Sequence, residues 1–313
     1  MAQQLENMVF EGGGAKACVY IGALRALEKK NLLGQMKRFA GSSAGALFAA
    51  CACLGYSSYE LEKAITDNLP KKLQLPSVLE LFVRVLKNKG ILDIALIRSL
   101  VESVLAFKHW TPQMTLTDVH QLTCKDLVIV STDLNTGSYV YFHHQTHPTT
   151  RLVDAIVCSM AIPIVFRPAV CDLENRTAVF SDPGLFSNNF PVWVFNDLSN
   201  LQTGIYTRSQ TVSASTLGLR VQSSEETAAD PTPLRIQTVW QYLRAILVTI
   251  GRINDTIENP PDIAKQCISI QCDQSILEAP SLVQLSAMIQ LGEEAVKTGL
   301  EKRFPDQQLT EPI

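Results

Sequence analysis

Residues 37 to 45 read Lys37-Arg38-Phe39-Ala40-Gly41-Ser42-Ser43-Ala44-Gly45, a short apolar strand that runs into a serine and straight on into a helix of small residues. Taken as G-x-S-x-G, Gly41 to Gly45 set Ser43 at the centre of a nucleophile elbow. Such a strand-to-helix turn crowds out neighbouring side chains, so glycines flank the serine and its hydroxyl stands at the strand end. The helix expected from Ala44 to about Gly55 aims its unpaired N–H groups at the same place, where they favour an anion. The plainer reading of the pentapeptide is a serine that only caps the helix it precedes.

Upstream, Met8 to Phe10 form a short apolar strand, Glu11-Gly12-Gly13-Gly14 a glycine loop, and Ala15 to Lys30 a helix with apolar positions at 19, 20, 23, 24 and 27. Two strand–glycine–helix units in succession are the pattern of a parallel sheet with helices on its faces. Downstream, the spacing predicts helices over 59–69, 77–87, 93–107, 151–160, 234–257 and 282–303, and strands over 127–132, 139–142, 177–181, 216–221 and 266–272. A helical turn or two is expected over 191–197, and a polar surface loop over 222–233. The apolar stretch 79–107 fits either core packing or a lid that faces a membrane, and the stripe along 234–257 fits core. With no internal repeat or low-complexity segment, residues 1–313 read as one domain.

If Ser43 is a nucleophile, something must accept its proton. The five histidines stand at 109, 120, 143, 144 and 147 and none follows Asp182, so the order Ser, Asp, His of an α/β-hydrolase is unavailable with that acid. His143, His144 and His147 follow a strand and read as surface or loop histidines. Asp182, in Phe180-Ser181-Asp182-Pro183-Gly184, ends a β-like run where a sharp turn would bring it to the same sheet edge as Ser43. A carboxylate is a poor base in water, and shielding by an apolar pocket raises its pKa toward usefulness. The plainer reading is an aspartate that caps its own turn.

Gly12, Gly13 and Gly14 let backbone N–H groups approach a ligand with no Cβ in the way. Aimed at a tetrahedral intermediate, each such donor is worth roughly 3 kcal/mol. Gly12-x-Gly14-x-x-Ala17 also fits a dinucleotide fingerprint, but that fold wants an acid at the end of the second strand, where this chain has Gly41-Ser42-Ser43. No G-K-[ST] follows the glycines, so a P-loop is excluded.

Hydrophobic residues make up 46% and charged residues 18%, which leaves room for a large core or a lipid-facing surface. The net charge is −3, with no basic block, so nothing points to nucleic acid. A polar start and the lack of a run of about 18 apolar residues argue against a secretory leader and a membrane-spanning helix. Eight cysteines without a C-x-x-C pair read as buried thiols in a reducing compartment. The expected setting is cytoplasmic.

The ordered blocks resemble the patatin-like phospholipases. Phe10 to Lys16 with Gly22-Ala23-Leu24 is similar to the family's oxyanion block and Gly41 to Gly45 to its nucleophile block. Ser159-Met160-Ala161-Ile162-Pro163-Ile164-Val165-Phe166 is similar to its A-S-x-A-x-P-x-x-F segment, and Asp182 to Pro191 to its D-G-G-x-x-x-N-x-P block. With Lys125 to Gly137 these cover residues 7 to about 192. The resemblance implies a three-layer α/β/α fold with a mainly parallel central sheet and a Ser43–Asp182 dyad under an oxyanion hole from Gly12 to Gly14. It implies neither metal nor cofactor. The substrate would be a phospholipid or other acyl lipid, met at a membrane surface to which the protein binds peripherally; a protein activator or a homo-oligomer is neither implied nor excluded. Two positions depart from the pattern. Pro183 stands where the family has Gly and has no N–H to donate, which also motivates a lipid-binding protein with little turnover, and Ala17 replaces a common Gly.

Overall fold

Side chains alternate along β1 (Asn7–Phe10): Met8 and Phe10 belong to one buried cluster and Val9 to another. In β2 (Arg38–Ser42) the same alternation separates Phe39 from Ala40, and in β4 (Asp126–Asp133) it separates Leu127 and Ile129 from Val128 and Val130. Apolar residues at both phases mark strands covered on both faces. The computed structural model describes residues 4–68, 90–173, 176–185, 189–204, 206, 213–223, 249, 263–274 and 278–304. The helices expected at 77–87 and 234–257, and most of the loop at 222–233, lie outside the described residues.

The remaining strands of the main sheet are β5 (Ser138–Phe142), β7 (Ala169–Leu173), β8 (Arg176–Ser181), β9 (Thr216–Gln222) and β10 (Cys267–Gln271). Their order is β10-β9-β1-β2-β4-β8-β7, with β5 also on β4. Pairing is parallel from β10 to β4 and antiparallel for β4–β5, β4–β8 and β7–β8, so the expectation of a mainly parallel sheet holds for one half and the other half is a meander. Two further short strands, β3 (Gly90–Leu92) and β6 (Ile164–Phe166), pair in parallel beside it.

One feature of the ladder positions the site. Thr132 pairs with Tyr139 of β5 and with Ser181 of β8, so those strands occupy opposite edges of β4. Val130 pairs with Tyr141 of β5 and with Ser42 of β2, so β2 lies on the same edge as β8. The two strands run toward each other along that edge and stop two residues of β4 apart, about 7 Å.

The described helices are α1 (Val19–Lys29), α2 (Ala44–Cys53), α3 (Ser58–Asn68), α4 (Ala95–Ala106), α5 (Leu116–Thr123), α6 (Leu152–Ser159), α7 (Ser199–Thr203) and α8 (Leu282–Arg303). Apart from α7 they add buried residues to the cluster on one face; every residue of α2 is buried, which makes it the central helix. The other face is covered, among the described residues, by the 3-10 turn Val192–Phe195 and by Leu201 of α7. The helix expected from Ala15 opens instead as a 3-10 turn, Gly14–Cys18, because Lys16 N–H bonds the Gly13 carbonyl. In α4 Ile97, Val101, Val104 and Leu105 are buried, so this part of the 79–107 stretch is core.

All eight cysteines are free; burial pushes the Cys18 thiol up to about 12, leaving it unreactive. Cys124 departs from the expected burial: it caps α5 in the left-handed region, at φ 54°, and is exposed, while Cys267 is half-buried. Among the described residues no helix is long and apolar enough to cross a membrane.

Helices α1 and α8 meet glycine to glycine. A Cβ on Gly22 would collide with the Ile289 carbonyl, and one on Gly292 with the Val19 carbonyl. Helix propensity alone favours Ala over Gly by up to about 1 kcal/mol, but overpacking at such a contact costs about 1–3 kcal/mol. Gly292→Ala is therefore expected to lower the urea unfolding midpoint at unchanged slope. Gly34→Ala, where an added Cβ meets nothing within 4 Å, should leave the midpoint almost unmoved.

Candidate active site

Chain direction reverses at Ser43, which sits at φ 50° and ψ −132°, a region costly for a residue with a Cβ. Strain of this size persists only where the surroundings hold it. Ser43 N–H donates to Ser159 Oγ at 2.8 Å, and the Ser159 hydroxyl donates to the Val130 carbonyl at 2.5 Å. Ser131, the β4 residue between the two strand ends, donates from Oγ to the carbonyls of Cys158 at 2.9 Å and Ser181 at 3.1 Å. Hydroxyls thus fill the gap in the ladder between β2 and β8. Ser43 itself makes no side-chain cap to α2, so the plainer reading of the pentapeptide fails.

The glycine loop fits against this elbow. A Cβ on Gly12 would strike Ser43 Cβ and the Asn189 side chain, and one on Gly45 would strike the carbonyls of Phe10 and Glu11; Gly41 lies as closely against the Gly45 carbonyl. Asn189 ties the loop down: its Nδ2 donates to Gly12 O at 2.9 Å and its carbonyl accepts from Gly12 N–H at 2.9 Å and from Ser42 Oγ. The Gly12 N–H is thereby engaged. Those of Gly13, Gly14 and Ala44 make no hydrogen bond to a described residue.

Asp182 follows the last residue of β8. Its N–H donates to Ala161 O at 2.9 Å, and its Oδ1 accepts from Gly184 N–H at 2.8 Å. Gly184, not the residue next to the aspartate, is the donor, so Pro183 removes nothing; it opens the 3-10 turn Pro183–Leu185, where a fixed φ suits. Oδ2 is buried with no hydrogen-bond partner of good geometry among the described residues. Burial pushes the Asp182 carboxyl up to about 6, and the adjacent Ser43 side chain and Gly184 N–H draw it partly back. Ser43 and Asp182 thus lie side by side, in electrostatic contact rather than locked by a formed bond, and are only 5% and 4% exposed. A hydroxyl, a carboxylate that can hold a proton and free N–H groups are the parts that acyl transfer needs.

No histidine joins them. His120, His143 and His144 gather around Asp126 at the start of β4, four register positions below Ser42 and Val130. His143 and His144 lie in the turn after β5, as the loop reading expects, but not at the surface: His143 is fully buried and His144 half-buried. Ser131, Ser159 and Asn189 hold the site without a role read from the sequence: Ser159 and Asn189 stand in two of the ordered blocks, and Ser131 shows only as a hydroxyl inside an apolar run.

A family model described as Patatin-like phospholipase matches residues 8–196, more than half of the chain. The chain is similar to the uncharacterized protein YqhO of Bacillus subtilis (strain 168), 29% identical over 203 residues that cover 60% of this chain and 66% of YqhO. It is also similar to the uncharacterized protein R571 of Acanthamoeba polyphaga mimivirus, 23% identical over 203 residues, 64% of this chain and 65% of R571. The chain thus spans just under two thirds of the length of these curated relatives. The crystal structure of VipD from Legionella pneumophila matches with a TM-score of 0.53 at 13% identity, covering 96% of this chain and 67% of VipD, a likeness of fold alone.

A raised carboxyl has a measurable cost. Its contribution to stability is full below the unfolded pKa of 3.8 and is lost as pH rises through about 6. Asp182→Asn is expected to be more stable than the wild type at pH 7 by up to about 3 kcal/mol, at roughly 1.4 kcal/mol per pKa unit, and to lose that advantage below pH 4; denaturant titrations at the two pH values measure it.

Proposed function

We propose, from the premise that this chain belongs to the patatin-like phospholipase family, that it is a serine lipid acyl hydrolase of the phospholipase A or lysophospholipase type. The observation that carries this reading is the pairing of an uncapped elbow serine with a buried carboxylate whose Oδ2 has no hydrogen-bond partner among the described residues. Ser43 Oγ attacks the acyl carbonyl carbon while its proton passes to Asp182 Oδ2. Negative charge collects on the carbonyl oxygen, and the N–H groups of Gly13, Gly14 and Ala44, unbonded to any described residue, are the donors for it; Gly12 joins them only when the Asn189 carbonyl lets go. As the ester C–O bond breaks, the proton on Asp182 goes to the leaving alkoxide. Asp182 then takes a proton from water, the hydroxide attacks the acyl-enzyme carbonyl, and as the bond to Ser43 Oγ breaks Asp182 returns that proton to Oγ and the fatty acid leaves.

Lipid as substrate, and action at the surface of its aggregates, follow from the family and from an acyl ester being what such a site attacks. The whole of residues 1–313 is proposed as one hydrolase domain, since β9, β10 and α8 complete the sheet and core begun by β1 and α1. A lipid-binding protein without turnover draws its support from Pro183; against it stands the Gly184 N–H, which donates to the Asp182 carboxylate.

A fluorophosphonate probe should label the wild type and leave Ser43→Ala unlabelled; equal labelling of both would sink the assignment. Asp182→Asn should lose about 10²- to 10⁴-fold in turnover, the usual worth of a general base. Because the base must be ionised, kcat/KM should climb with pH and level off above about 6. Mass spectrometry of fatty acids released from phospholipids, lysophospholipids and neutral glycerides reads both the rate and the preferred lipid.

A further inference from the structure

We propose that His120, Asp126 and His144 form a binding site for a divalent transition-metal ion of the zinc class, at the end of the sheet remote from Ser43. One nitrogen of each imidazole and one Asp126 oxygen lie within 4.8 Å of one another. They come from three separate segments: the last turn of α5, the first residue of β4 and the turn after β5.

Hydrogen bonding does not account for the cluster. Asp126 Oδ1 lies 3.4 Å from His143 Nε2, 3.6 Å from His120 Nδ1 and 3.8 Å from His144 Nδ1. Charge-assisted bonds to a carboxylate run about 2.7–2.9 Å, so the last two are not bonds. The His144 Nδ1–Asp126 Oδ1 separation is close instead to the edge of a tetrahedron with metal–ligand bonds of 2.0–2.2 Å, about 3.4 Å. His144 Nδ1 is buried and has no hydrogen-bond partner among the described residues, which leaves it orphaned unless something in the cluster takes it. The rings of His120 and His144 stack with centroids 3.7 Å apart and planes 11° apart, so in-plane lone pairs on both meet one ion once one ring turns out of the stack.

The surroundings are those of an oriented site. His120 Nδ1 meets the Lys125 carbonyl at 2.9 Å; a carbonyl only accepts, so Nδ1 carries the proton and Nε2 keeps a lone pair. His143 Nδ1 accepts from Gln145 N–H, so Nε2 carries its proton toward Asp126 Oδ1 and His143 acts as a positioning residue rather than a ligand. Arg38 approaches the other oxygen, its Nε 3.8 Å from Asp126 Oδ2, but its guanidinium already donates to Glu6 and to Asn7 Oδ1, so the Asp126 charge stays available. Two imidazoles, one carboxylate and an open position for water suit an ion of intermediate softness better than calcium or magnesium, which want oxygen ligands. Bound there, the ion would clasp α5, β4 and the β5 turn together. Hydrolysis at Ser43 is no part of this argument.

The test is titration of the chelator-treated full chain with Zn2+ in a calorimeter, paired with thermal unfolding. Saturable uptake of one ion per chain and a higher unfolding temperature are expected. His120→Ala, at a partly exposed side chain, should bind at least tenfold more weakly and lose the rise in unfolding temperature; His143→Gln should weaken binding about 10- to 100-fold, as loss of an orienting partner does. The proposal is overturned if folded wild type takes up no Zn2+ saturably. It is equally overturned if His120→Ala keeps wild-type affinity, or if affinity vanishes with Cys124→Ser, the exposed thiol nearby, while His120→Ala keeps it.

Discussion

One edge of β4 is shared by two strands that arrive from opposite directions, and the rest of the site depends on that sharing. Parallel β2 occupies the edge up to Val130 and antiparallel β8 occupies it from Thr132. Each strand must end where the other begins, so the residues just past their ends, Ser43 and Asp182, are delivered to one point although 139 positions separate them in the chain (182 − 43). The interrupted ladder would leave main-chain groups unsatisfied in a dry interior, which is costly. Ser131 and Ser159 supply the missing partners with hydroxyls, and the elbow is held in its strained conformation by the same bonds.

Burial then sets the chemistry. Asp182 is only 4% exposed, so little water stabilises its charge; one oxygen is satisfied by Gly184 N–H, and the other is buried with no hydrogen-bond partner among the described residues. Desolvation that is unfavourable for folding makes the carboxylate more basic than it would be in water. The fold holds this cost in place because the large apolar cluster around α2 is unaffected by it. Stability given up at one residue thus becomes proton affinity at the reaction centre.

How much of this could be read in advance varies with the range of the interaction. The elbow, the glycine loop, β4 and α8 rest on local pattern: small residues beside Ser43, apolar runs, and Ser281 boxed with Gln284 at the start of the last helix. α5 was equally local, announced by Thr115 and Asp118 as a capping box, but its eight residues are too few for a clear apolar period. β7 is likewise short, although its burial alternates along Ala169-Val170-Cys171. What no local pattern carries is pairing. That β8 takes the edge vacated by β2, that Asn189 engages the Gly12 N–H, and that His120 lies against His144 are facts of register and return, decided by strands far apart in sequence.

The meeting of Gly22 with Gly292 has a bearing on how the chain is made. Synthesis runs from the N-terminus, so β1 and α1 emerge before their partners: β1 lacks its β9 neighbour and α1 lacks the helix that seats on its glycine until the segment through α8 has left the ribosome. Ser43 is therefore synthesised well before the strands and helix that complete the core around it. Assembly of the sheet around β1 therefore waits on segments far downstream of it.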